Sequence, residues 1–147
     1  MATTSVRYAV INAIVTALRS KAALSAVNVQ PCYPGDRNIF AETIWIDQVD
    51  GNLDIPVMVG GRKEYDDIFN VPVEIRVAGQ ITPEDCRSRL ETLASIVRDC
   101  LQDDPTLSGL DGVVSAVMED QKSYASGTPD GYIGFAEIVI NVHTRIL

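Results

Sequence analysis

The one histidine of the chain, His143, is the first residue to consider for chemistry, because histidine titrates near neutral pH and can act as a general base or a metal ligand. It lies in a predicted β-strand near the end of the sequence. A Ser-His-Asp triad is recognised by geometry and not by spacing, so the sequence leaves one open. A lone strand histidine is more typical of a surface or partner-facing side chain. We therefore predict that the protein is not an enzyme.

Metal and phosphate motifs are equally sparse. Neither Cys-x-x-Cys nor His-x-x-x-His spacing occurs in the sequence. Asp47, Asp50, Asn52 and Asp54 superficially resemble a calcium loop, but their spacing does not fit an EF-hand. The Gly-Gly-Arg-Lys run at 60–63 lacks the Walker spacing and precedes a strand instead of a helix. We expect solvated turns at both places, and no metal or cofactor.

The cysteines, Cys32, Cys86 and Cys100, are three in number, and an odd count argues against a secreted disulfide framework. Cys86 and Cys100 fall on one predicted helix, roughly 20 Å apart, which is too far for a disulfide bond. Cys32 could pair with either of them. We favour three buried thiols without a disulfide.

Charge is distributed unevenly along the chain. Twelve basic and twenty acidic residues give a net charge of −8, which argues against a nucleic-acid-binding domain. The hydrophobic fraction of 46% excludes a disordered chain and fits one soluble globular domain over residues 1–147. Residues 1–35 carry only the basic groups Arg7, Arg19 and Lys21, whereas acids dominate from residue 36 onward. A basic patch on one subunit could therefore meet an acidic patch on the next.

No targeting signal or membrane span is recognised in the sequence. Arg7 interrupts the first apolar stretch, which is the wrong order for a signal peptide. The longest uncharged run near the N-terminus is too short to span a bilayer. We expect a soluble protein of the cytosol with no membrane partner.

The elements that must position these residues follow from periodicity and capping. Apolar residues every four positions predict a first helix over 5–24, with Ser5 as its N-cap. Thr82, Pro83 and two acids predict the start of a second helix that ends near residue 103. Strands are predicted over 27–30, 43–49, 64–77, 113–118 and 132–146. The strand over 64–77 shows the cleanest alternation of apolar and polar residues.

The connections complete the predicted order. Asp50-Gly51-Asn52 should break the chain after the 43–49 strand, and 53–59 should form a return arm. Residues 120–131 are predicted to form a long polar hairpin connection. The order favours an α+β fold, in which two helices pack on one face of a mostly antiparallel β-sheet and a long β-hairpin arm spans about 47–66.

This layout resembles the tail terminator proteins of long-tailed bacteriophages and the related small neck and tail-completion proteins. The resemblance runs from the N-terminal helix through the strand around Trp45 to Phe69-Asn70-Val71-Pro72-Val73-Glu74-Ile75-Arg76-Val77. It continues through the proline-initiated helix over 83–103 and Leu107-Ser108-Gly109-Leu110 to the final strand ending in Arg145-Ile146-Leu147. It rests on element order, length and hydrophobic pattern.

The resemblance implies a structural virion protein at the tail–neck junction. Tail terminators form a homo-hexameric ring on the head-proximal end of the tail tube, stop polymerisation of the tube protein, and present a docking surface to the neck. Genomic DNA only passes through the lumen, and an acidic lumen would repel its backbone. Candidate lumen or subunit-interface acids are Asp47, Asp50, Asp54, Asp66 and Asp67, and the candidate basic interface consists of Arg7, Arg19 and Lys21.

Two other functions remain open at this point. A head-closure or head–tail adaptor protein of the neck would share the ring and much of the layout. A small α+β ligand-binding domain or enzyme would need a concave pocket with convergent polar groups. Such a pocket would gather His143 and several acids, whereas a ring protein would spread them over its subunit interfaces.

Overall fold

The computed structural model describes residues 6–35, 42–54, 65–129 and 131–146. Two α-helices lie among six strands, which confirms the α+β class. In chain order, the helices are α1 (Arg7–Arg19) and α2 (Pro83–Gln102), with a single 3-10 turn at Ala22–Leu24. The strands are β1 (Asn28–Gln30), β2 (Glu42–Ile46), β3 (Asp50–Asp54), β4 (Tyr65–Gln80), β5 (Val113–Thr128) and β6 (Gly131–Ile146).

The sheet has the order β1-β2-β4-β6-β5, and β3 pairs with the first part of β4. All pairs are antiparallel except β1 with β2. The central pair joins β4 to β6 from Tyr65 opposite Ile146 to Gln80 opposite Tyr132. The strands β2, β3 and β5 are positioned by their register with this pair, and β1 by its register with β2.

The hydrophobic core lies between the sheet and the two helices. The predicted alternation of β4 is confirmed, since Phe69, Val71, Val73, Ile75 and Val77 are all buried. Ile138 and Val142 of β6 lie beside them on the same face of the sheet, and fully buried side chains of the two helices face them across the core: Val10, Ile14, Leu18, Leu90, Leu93 and Val97. Burying such a side chain contributes about 1.5–3 kcal/mol.

Helix α2 begins as its sequence predicts. The Thr82 hydroxyl accepts a hydrogen bond from the Asp85 N–H, and Pro83 occupies the first helical position. The helix approaches β6 closely at Gly134, where an added Cβ would lie 3.1 Å from Cys86 Sγ and 3.2 Å from Leu90 Cδ2. A residue without a side chain at this position lets helix and sheet meet.

Helix α1 is shorter than predicted. It ends at Arg19, and the chain then turns, with the Ser20 hydroxyl donating to the Ala17 carbonyl at 2.6 Å. Apolar Ala22 and Leu24 continue the helical pattern but belong to the 3-10 turn. The first helical residue is Arg7, and the predicted cap Ser5 lies outside the described residues.

The Asp50-Gly51-Asn52 sequence does not break the strand region as predicted but forms the start of β3. Asp50 pairs with Asn70 and Gly51 with Phe69. At Gly51 an added Cβ would lie 2.1 Å from the Ile68 carbonyl oxygen, so glycine permits the two backbones to pair here. The predicted return arm over 53–59 and the tip of the hairpin arm lie mostly outside the described residues.

The prediction of a long loop over 120–131 was wrong, because β5 continues to Thr128. The helix-facing residues of this stretch are polar because polar side chains of α2 cover them: Arg98 donates to Gln121, and Arg87 donates to Ser123. On the opposite face Tyr124 stacks on Phe135 at 5.3 Å. The strand therefore lacks the apolar alternation by which strands are recognised.

The cysteine interpretation is corrected in one respect. Cys86 and Cys100 are buried thiols, as predicted, and burial raises the pKa of each. Cys32 is exposed, because it follows the end of β1. None of the three forms a disulfide bond, and no described helix is long and apolar enough to cross a membrane.

We expect Thr82→Ala to lower the free energy of unfolding by about 1 kcal/mol, because the Asp85 N–H would lose its capping acceptor. Urea denaturation followed by circular dichroism measures this change. Ser88→Ala, on an exposed position of the same helix, is the control and should change stability by a few tenths of a kcal/mol. Equal effects of the two substitutions would contradict a stabilising role for the cap.

Candidate assembly surface

The sheet has one face that neither helix covers, which we call the outer face. It carries the even-numbered residues of β4 from Asp66 to Arg76 and the odd-numbered residues of β6 from Phe135 to Arg145. The strand β5 adds Val117, Asp120, Lys122 and Tyr124 on the same side. Successive side chains of a strand point to opposite faces of the sheet. The neighbours of each buried core residue therefore lie on the outer face.

Large apolar side chains remain accessible on the outer face. Val117 is 58% exposed, Tyr124 59% and Ile68 36%. Pro72 and Val139, which oppose each other across β4 and β6, are half-buried. Exposed apolar groups gathered on one surface are typical of a protein–protein contact.

Two glutamates meet at the centre of this face. Glu74 on β4 is directly opposite Glu137 on β6, and Lys122 of β5 lies on the far side, with Nζ 3.8 Å from Glu137 Oε1. Burial, a hydrogen bond to Glu137 and the charges of Glu137 and Asp47 raise the pKa of Glu74 to about 8, against the opposing effect of Lys122. Glu74 therefore tends to keep its proton near neutral pH.

A shallow cavity of about 290 Å³ adjoins the glutamates. Its walls include Glu74, Glu137, Lys122 and the stacked rings of Tyr124 and Phe135. Carboxylates beside aromatic rings form a surface suited to a cationic or amphipathic group of a partner.

The predicted acids do not form one group. Asp67 is 1% exposed and receives two hydrogen bonds from Arg7, Nε to Oδ2 at 2.9 Å and Nη2 to Oδ1 at 2.7 Å. The Arg7 guanidinium also lies 5.0 Å from the Phe69 ring centroid. A member of the predicted basic interface thus joins α1 to β4 inside the same chain.

Asp66 lies on the outer face in a second pair. Arg145 donates to it from Nε at 2.8 Å, and His143 Nε2 is 3.1 Å from its Oδ2. The bond to Arg145 is the main cause that holds the pKa of Asp66 below its usual value, and burial opposes it. The contact with His143 also lowers the pKa of Asp66, to a smaller extent than the bond to Arg145.

The remaining candidates are dispersed. Asp47 and Asp50 are exposed, and the side chain of Asp54 lies outside the described residues. Arg19 is exposed and donates to the Val29 carbonyl at 3.0 and 2.7 Å, where it covers the short edge strand β1. Lys21 is exposed beside the groove between the two helices.

Glu74, Glu137 and Tyr124 were not among the predicted site residues. The alternation of β4 and β6 places both glutamates on the polar side of their strands, but only the register between the strands makes them neighbours. Tyr124 was assigned to a loop. Within the described ranges no group of three metal-ligating side chains occurs, and His143 has an aspartate neighbour.

Comparison with known proteins finds a similar fold and no similar sequence family. No family model matches the chain, and no curated protein matches it. One chain of a solved structure, the virion of a native gene transfer agent particle, superposes with a TM-score of 0.62 at 14% sequence identity. The match covers 97% of this chain and 99% of that chain. Two sequences this different thus share a fold over nearly their whole length.

We expect Asp67→Asn to destabilise the protein by about 2 kcal/mol, because it removes the charge that accepts both hydrogen bonds of Arg7 in a buried place. Asp47→Asn, at an exposed acid from the same predicted set, is the matched control and should stay within about 0.5 kcal/mol of the wild type. Urea denaturation at neutral pH distinguishes them. A loss as small as that of the control would show that the pair contributes little to folding.

We expect Glu74→Gln to flatten the fall in stability between pH 4.5 and 8. The pKa of Glu74 is about 8 in the folded chain, above the ordinary value of 4.5, so ionisation favours unfolding. The contribution of protonated Glu74 to the free energy of unfolding is fully present below pH 4.5 and is lost as the pH rises through 8.

Melting temperatures across this pH range provide the measurement. The exposed substitution Glu119→Gln on β5 is the control, and its profile should run parallel to that of the wild type. A Glu74→Gln profile that also ran parallel would contradict the raised pKa of Glu74.

Proposed function

We propose that this chain is a structural protein of a phage-like virion and, within the virion, the tail terminator. Six copies form a ring on the head-proximal end of the tail tube. The ring ends polymerisation of the tube protein and offers its other side to the neck. Residues 1–147 act as one domain in this role, and genomic DNA passes through the lumen.

The observation that carries the proposal is the shared fold over 97% of the chain with a chain from a gene transfer agent virion. A small structural protein that assembles with other virion proteins needs contact surfaces more than it needs catalytic groups. The outer face supplies one such surface, with exposed Val117, Tyr124 and Ile68. The described residues offer no comparable gathering of catalytic groups around His143.

The acids fit the proposal in a restricted way. Asp66 and Asp67 are engaged with Arg145 and Arg7 inside the chain, so they hold the fold together. Asp47 and Asp50 are exposed, and they are the described acids of the predicted set that can line a lumen or meet a neighbour. An acidic lumen surface would let DNA slide, since it does not attract the phosphate backbone.

Light scattering on the purified protein, alone and with the tail-tube protein of the same phage, tests the ring. We expect six copies of the 16.0-kDa chain to associate, either alone or on contact with tube protein. Electron microscopy of growing tubes provides the second measurement, and the expected result is that added protein binds one tube end and stops elongation there.

The outcomes separate the candidate functions. A ring that leaves tube growth unchanged but binds the head vertex would assign the protein to the neck as a head-closure or adaptor protein. A monomer that ignores tube protein would overturn both ring functions. Tubes receiving buffer in place of protein are the control for elongation.

A further inference from the structure

The chain forms a slab with two unlike sides. One side is the helix layer, and the other is the outer face of the sheet. Along α1, Tyr8, Asn12, Thr16 and Arg19 recur at helical spacing, and all four are exposed, Tyr8 at 77%. We call these four residues the α1 stripe. Neither the core nor α2 covers it.

The α1 stripe and the outer face differ in charge. The α1 stripe contains one cation and no acid, and exposed Lys21 follows shortly after it. Among the described side chains, the outer face carries the carboxyl groups of Asp50, Asp66, Glu74, Asp120 and Glu137 against the cations Arg76, Lys122 and Arg145. Among the described residues, neither Arg19 nor Lys21 forms an ion pair with a carboxylate of its own chain.

Both sides also carry an exposed aromatic ring next to polar groups. Tyr124 extends from β5 beside the cavity of Glu74 and Glu137. Tyr8 stands on α1 four residues before Asn12. Tyrosine is enriched at protein interfaces because it combines a large apolar area with a polar end.

We propose that the α1 stripe of one copy packs on the outer face of a second copy, with Lys21 and Arg19 directed toward the carboxylates around Glu74 and Glu137. The contact rests on the proposed ring function and names its subunit interface. The helix layer of the first copy then covers the outer face of the second copy, and the sheet of the second copy becomes the middle layer of a helix–sheet–helix arrangement.

The contact is heterologous, because it joins two different sides of the slab. A pair of copies leaves one α1 stripe and one outer face unused, so association continues until the rotation closes a ring. A two-fold dimer would instead bring like charges together, outer face against outer face. Complementary charge therefore favours a ring over a pair.

A charge swap tests the contact. The first variant, Asn12→Glu/Lys21→Glu, makes the helix side acidic at exposed positions. The second, Asp120→Lys/Ser126→Lys, makes the outer face basic at exposed positions of β5. We expect each variant alone to need at least about tenfold higher concentration than the wild type for half-assembly, because like charges then face each other.

Mixing the two variants in equal amounts should restore assembly. Each altered side then faces a complementary side, so the copies alternate around the ring. Ser88→Lys/Asp99→Lys, with the same charge change as the second variant but on exposed positions of α2, is the matched control and should assemble as the wild type does. Circular dichroism shows that all variants fold.

Glu74→Gln/Glu137→Gln gives an independent readout. Removing two neighbouring carboxylates should raise the melting temperature of the monomer and at the same time weaken assembly, a combination that misfolding cannot produce. Mass photometry over a range of concentrations, with tube protein present where the wild type requires it, measures assembly.

The outcomes distinguish this contact from the ring itself. A wild type that never assembles, with or without tube protein, overturns the ring and this contact together. A wild type that assembles while the two charge variants do so equally well, or whose variants are not restored by mixing, overturns this contact and leaves the ring intact.

Discussion

The pairing of β4 with β6 is the constraint on which the rest of the structure depends. The positions of the flanking strands β2 and β5 depend on its register. The alternation of side chains along β4 and β6 determines which residues contact the helices. The helices cover one face only. Every buried residue that stabilises the core, such as Val73 or Ile138, therefore places a neighbour on a face that the described chain leaves open. Folding and the presence of a contact surface are consequences of the same alternation.

The sequence predicts those elements whose signals are local. The alternation of β4 and the Thr82-Pro83 start of α2 each depend on a short run of neighbouring residues, and both were predicted correctly. The second half of β5 was not, because its helix-facing residues bond to polar groups of α2. When a polar helix surface covers a strand, the strand's amino-acid composition resembles that of a loop. Only the tertiary partners, Arg87 and Arg98, distinguish the two.

The candidate site was predictable only in part for the same reason. Arg7 and Asp67 were assigned to opposite interfaces by their charges, but they are sixty positions apart and meet in one chain. Glu74 and Glu137 become neighbours through a strand register that no local pattern contains. Charge along a sequence indicates which groups are available. Pairing within the fold decides which of them remain for a partner.

Because some carboxylates are paired within the fold, only part of the acidic excess is available for contact with a partner. A carboxylate bonded to an arginine of its own chain, as Asp66 and Asp67 are, has its charge balanced within the fold and contributes little field to the outside. The pair of Glu74 and Glu137 is different, because two carboxyl groups held side by side on a half-buried surface can both ionise only at a cost in free energy to the isolated chain. That cost is relieved when a proton or an external cation reaches them. A cation supplied by another copy would thus convert a local destabilisation into a preference for the assembled state.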